Sequence, residues 1–114
     1  MIEIFQKYKN IIKDYQIICW DSEPLTYRFK AQINFINGST LIVKDYLFST
    51  GRKYSFQWQD KAGNLLIRWD NASHWKKIDT FPHHKHQKNE VFPSKEFTLY
   101  EVLQYLSEIL ENQT

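Results

Sequence analysis

A single cysteine, Cys19, stands among the 114 residues of this chain, so no internal disulfide can staple it. Cys19 sits in an apolar run, and a buried thiol is its expected state. No apolar run approaches the length that spans a bilayer. Met1 to Lys13 mixes Glu3, Lys7, Lys9 and Lys13 with its apolar residues, unlike a secretory leader. The expectation is a cytoplasmic protein without membrane contact. Charge of one sign is missing too: 15 basic residues nearly balance 13 acidic ones, for a formal +2. That is too small a surplus to imply nucleic acid on global charge alone. The GxGxxG, P-loop, HExxH and GxSxG patterns are absent, which removes the usual dinucleotide, nucleotide-phosphate, zincin and hydrolase-elbow readings.

What is present is a chain of one-domain size, 1–114, long enough to bury a core. It is rich in aromatics, with seven Tyr, eight Phe and four Trp. Ile4, Tyr8, Ile11 and Ile12 recur at helical spacing within residues 2 to 13. Tyr15 to Trp20 reads as a strand that Pro24 and its neighbours end. Thr26 to Phe35 alternates cleanly: Tyr27, Phe29, Ala31, Ile33 and Phe35 against Arg28, Lys30, Gln32 and Asn34. Asn37-Gly38 is a hairpin signal, since both residues tolerate positive φ. Strands follow at Leu41 to Ser49, Lys53 to Gln59 and Leu65 to Asp70, parted by Thr50-Gly51 and by residues 60 to 64. Thr98 and Glu101 form a capping box before an apolar stripe of Leu99, Val102, Leu103, Leu106, Ile109 and Leu110. The predicted fold is α+β: one domain with an antiparallel, roughly five-stranded meander sheet packed by N-terminal and C-terminal helices. Asn71 to Lys95 reads mostly as loop, with Pro82 and Pro93 as breakers. Loops of that length are often functional.

All four histidines, His74, His83, His84 and His86, fall in Trp69 to His86. From Lys76 to Lys88 four lysines face one aspartate, a local basic surplus. Metal-free phosphodiester cleavage needs a base at the attacking hydroxyl, an acid at the leaving oxygen and a cation at the phosphate. The candidate catalytic set is His83, His84, His86, Asp70 and Lys85, with Asp70 orienting a histidine. The candidate RNA contacts are His74, Trp75, Arg68, Lys76, Lys77 and Phe81, the aromatics stacking on bases. This reading takes no metal and no cofactor. Its competitors are a metal-dependent phosphodiesterase, in which an extended His84 to His86 points both rings one way, and a non-enzymatic module that captures protein or nucleic acid. The bland reading gives Asp70 and Asn71 an Asx turn and leaves Arg28 and Arg68 on a solvated sheet face.

The segment WDNASHWKKIDTFPHHKH, continued through Val91, Phe92 and Pro93 to the helix after Thr98, resembles the signature of the TumE-family toxin-like proteins of bacterial and archaeal toxin–antitoxin pairs. The likeness covers nearly the whole chain. It departs at Ser73, where the family commonly has proline, and at Trp75, where a second histidine would follow His74. The resemblance implies a toxin with a small cognate antitoxin as partner. RNA as target and a homodimer are further expectations, the former from the histidine and lysine chemistry, the latter from the abundance of aromatics.

Overall fold

The computed structural model describes residues 2–112. The elements are α1 (Ile2–Lys7), β1 (Ile12–Ser22), β2 (Tyr27–Phe35), β3 (Thr40–Phe48), β4 (Gly51–Gln59), β5 (Leu65–Asp70), β6 (His84–Gln87), β7 (Glu90–Pro93) and α2 (Leu99–Glu111). The strands form one antiparallel sheet in chain order, β1 to β7. The meander is therefore seven-stranded, not five-stranded. The two added strands lie in the segment expected to be mostly loop. Their hairpin turns on Lys88 and Asn89, both at positive φ of 53° and 63°, between the paired Gln87 and Glu90.

One face of the sheet is apolar. Phe29, Ala31, Ile33 and Phe35 of β2, Leu41 and Val43 of β3, Tyr54, Phe56 and Trp58 of β4, and Ile67 and Trp69 of β5 are buried there. Helix α2 supplies Leu99, Val102, Leu103, Leu106 and Leu110 to the same core. Its N-terminus carries the expected capping box, with Thr98 accepting from the Glu101 N–H and Glu101 accepting from the Thr98 N–H. Such a cap stabilises a helix by ~1 kcal/mol. Helix α1 is shorter than predicted. Phe5, Tyr8 and Ile11 remain buried, but from Ile12 the chain joins the sheet edge. The Tyr8 hydroxyl donates to Gln104 Oε1 at 2.9 Å, tying the two ends together.

Cys19 corrects a second expectation: it is only partly buried. A bulge between Ile17 and Cys19 shifts the alternation of β1, so Cys19 pairs with Lys30 on the polar face while Trp20 pairs with Phe29. At Asn37-Gly38 only Gly38 takes positive φ, 90°. Asn37 instead accepts the Ser39 N–H through Oδ1 at 3.0 Å. No helix among the described residues is long and apolar enough to cross a membrane.

Candidate active site

The functional candidates gather on the polar face, where β5 and β6 meet. Side chains alternate between faces along a strand, so Trp69 enters the core while Arg68 and Asp70 point away from it. Strand β6 pairs with β5 in the register Arg68 with His86, Trp69 with Lys85, and Asp70 with His84. Asp70, His84, His86 and Arg68 therefore share one face, and Lys85 projects from the other.

Asp70 is the hub. Its Oδ1 accepts the Ala72 N–H at 3.0 Å, the Asx turn of the bland reading, and lies 2.7 Å from His84 Nε2. Its Oδ2 accepts from Arg68 Nε at 3.2 Å and lies 3.5 Å from His86 Nε2. The His84 side chain is 1% exposed, Asp70 9% and His86 17%. The His84 and His86 rings meet edge-on with centroids 4.9 Å apart. Burial, and secondarily Arg68, holds the His86 pKa below its usual value, against the pull of Asp70. His84 Nδ1 lies 2.9 Å from the Pro82 carbonyl oxygen. A carbonyl only accepts, so Nδ1 carries the hydrogen and Nε2 is the nitrogen turned toward Asp70. Despite the short separation, Nε2 has no hydrogen-bond partner among the described residues.

The loop from 71 to 83 closes over this cluster. Trp75 packs edge-on against His84 and His86, with centroids 6.4 and 6.0 Å away, and stays 43% exposed. Thr80 anchors the loop: its hydroxyl donates to the His83 carbonyl and accepts the Ser94 N–H at 2.9 Å. The Phe81–Pro82 peptide is cis. His74, Lys76, Lys77 and Phe81 are exposed along the loop.

His83 is not part of the cluster. It stacks on Tyr54, and its Nδ1 lies 2.9 Å from the Tyr54 hydroxyl. Tyr54 belongs to the apolar face, being the neighbour of Ser55, which pairs with Asp70. Burial pushes the Tyr54 phenol up to about 12. Beside it Arg52 makes a two-pronged pair with Asp45 at 3.0 Å and reaches Glu96 at 2.9 Å. Burial opposes the Arg52 charge, yet these carboxylates more than offset it and its pKa is raised. Nothing in the histidine pattern pointed to Arg52, Asp45 or Tyr54.

The triplet Trp69-Asp70-Asn71 has three separate tasks. Trp69 packs on Phe97 and Tyr105, Asp70 organises the cluster, and Asn71 clamps β4. Asn71 Oδ1 accepts the Tyr54 N–H at 3.0 Å while its Nδ2 donates to the Arg52 carbonyl at 2.8 Å. The family model for the toxin TumE matches residues 1–112. The chain belongs to the TumE toxin family. As a TumE toxin it is the toxin component of a toxin–antitoxin pair. No curated protein and no solved structure matches it.

The cross-strand register of the sheet extends the TumE site sideways. One row of the polar face runs Cys19, Lys30, Lys44, Ser55, Asp70, His84. The next row runs Gln32, Ile42, Gln57, Arg68, His86. Beyond Lys30 and Lys44 lie Arg28, Tyr46 and Lys53 in a third row, and Tyr46 contacts Phe48 edge-on. Lys44 and Lys53 are exposed, and Arg28 is exposed and paired with Asp21 at 3.1 Å.

Proposed function

We propose that this toxin is a ribonuclease that lays RNA across the polar face of its sheet and cleaves it at the Asp70–His84–His86 cluster. The observation that carries the reading is the alignment of cations and aromatics with that cluster. Lys44 stands two strands from Asp70, about 10 Å at ordinary strand spacing. Arg28, Lys30, Lys44 and Lys53 supply positive charge along the way, and Tyr46, Phe48 and Trp75 offer ring faces for bases. A basic, aromatic-bearing sheet face suits single-stranded nucleic acid.

At the cluster, Arg68 is the cation for the scissile phosphate. It is partly exposed and held by Asp70 and, at 3.5 Å, by Gln57. The attacking hydroxyl is activated at the Asp70–His84–His86 group. His83, turned to Tyr54, positions the loop; Lys85, on the helix-covered face, lies outside the reacting geometry. The reading puts the toxin in the cytoplasm, with RNA as target and a small antitoxin as the controlling partner.

The test is cleavage of labelled single-stranded RNA by purified toxin freed of antitoxin. Native protein generates new ends. The Lys30→Ala, Lys44→Ala double variant, changed far from the cluster, binds RNA more weakly, with a shallower dependence on salt. Intact RNA with every native preparation, or unchanged binding in the double variant, contradicts the reading.

A further inference from the structure

We infer that Asp70, His84 and His86 form a binding site for a divalent transition-metal ion of the zinc class. The three residues each bring one donor atom, and those atoms lie within 4.8 Å of one another. Metal–donor bonds of 2.0–2.2 Å place neighbouring ligands roughly 3–3.6 Å apart. The separation of His86 from Asp70, 3.5 Å, falls within that range; that of His84 from Asp70, 2.7 Å, is shorter by a few tenths of an ångström, roughly what a small side-chain rotation opens. Two imidazoles and a carboxylate are a donor set that zinc and its neighbours accept while keeping a position open.

The independent observation is the state of His84. Its Nε2 is buried, turned into the cluster, and makes no hydrogen bond. Without a proton on Nε2, two acceptor atoms stand 2.7 Å apart with nothing between them, which is repulsive. A proton on Nε2 would relieve that repulsion but would leave a buried N–H without an aligned acceptor. An ion held by both Nε2 and Oδ1 resolves both, because the two donors then share a cation instead of opposing each other. The other face of the ring fits as well. Metal-binding histidines commonly donate their remaining N–H to a backbone carbonyl, and His84 Nδ1 donates to that of Pro82. Arg68 engages Oδ2 of Asp70 and leaves a lone pair on Oδ1.

The inference deepens the ribonuclease reading, on which the chemical role of the ion rests: a bound ion lowers the pKa of a coordinated water or hydroxyl and so supplies the activated oxygen. Occupancy is measured without RNA. Full-length toxin is stripped with chelator, titrated with Zn²⁺ by calorimetry, and examined with Co²⁺ by visible absorption. One equivalent is expected to bind. His86→Ala, at the more exposed ligand, is expected to weaken zinc by on the order of 100-fold or more, and His74→Ala to leave affinity unchanged. Circular dichroism of each variant establishes that the fold persists, and His86→Gln gives a second, milder replacement. No stoichiometric binding, or equal binding by His86→Ala, overturns the site. A chain that cuts RNA without binding zinc overturns this inference alone. A chain that binds one zinc but leaves RNA intact supports the site while overturning the ribonuclease reading.

Discussion

Replacing Asp70 by asparagine keeps the shape of the hub and removes its charge. The carboxylate accepts hydrogen bonds from the Ala72 N–H and Arg68 Nε, and lies 2.7 Å from His84 Nε2 and 3.5 Å from His86 Nε2. An amide offers one acceptor oxygen. If that oxygen keeps Ala72, the new NH₂ meets the Arg68 N–H donor; if it turns to Arg68, the NH₂ meets the Ala72 N–H. Either orientation sets donor against donor at one of the two hydrogen bonds. A hydrogen bond involving a charged group contributes about 1.5–3 kcal/mol. The Arg68 contact is discounted because that side chain is 36% exposed, whereas the Ala72 N–H bond is made to a carboxylate that is only 9% exposed. The expected loss is about 2–3 kcal/mol, below the upper range for stranding one member of a buried pair. For a domain of this size that lowers Tm by roughly 8–12 °C. Thermal unfolding by calorimetry, in chelator so that metal does not contribute, measures it. A shift under about 2 °C would refute the claim that Asp70 is the electrostatic hub of a packed cluster.

Two further consequences follow from the loop and the apolar face. Thr80→Val removes the hydroxyl that serves both His83 and Ser94; a loss of about 1–3 kcal/mol is expected, with amide exchange accelerated first in β6 and β7. Tyr54 sets an alkaline limit. Below about pH 10 it is protonated folded or unfolded and contributes no pH dependence; above that the unfolded chain ionises first, and stability falls until the folded phenol titrates at about 12. Ultraviolet titration with Tyr54→Phe as the comparison checks this, and a phenol at Tyr54 that titrates near 10 would contradict it.

The legibility of the molecule follows the range of its interactions. Strand β2 was readable because one strict alternation, Tyr27 to Phe35, decides both its faces. The start of α2 was readable because Thr98 and Glu101 satisfy each other locally. Strands β6 and β7 were not. They are four residues each, HKHQ and EVFP, and their turn rests on Lys88 and Asn89 at positive φ, with no glycine to announce it. Helix α1 ended early because its later apolar residues serve the sheet edge, and the bulge at Ile18 carried Cys19 to the outer face.

The site divides the same way. The metal reading put His84 and His86 on one side if that segment is extended, and His84–Gln87 is a strand. That Asp70 stands directly opposite His84, and that His83 and Lys85 face elsewhere, depends on how β6 docks across a loop onto β5. The alignment of Lys30 and Lys44 with the cluster depends on registers accumulated over four strands. Such pairings leave no local trace in composition or spacing.

The most direct measurement compares growth and RNA integrity in cells expressing native toxin or His86→Ala at equal folded abundance, without antitoxin. The account predicts arrest with new RNA ends for the native chain and intact RNA with restored growth for the variant. Arrest with intact RNA in both would contradict it and assign the toxicity to capture of another target.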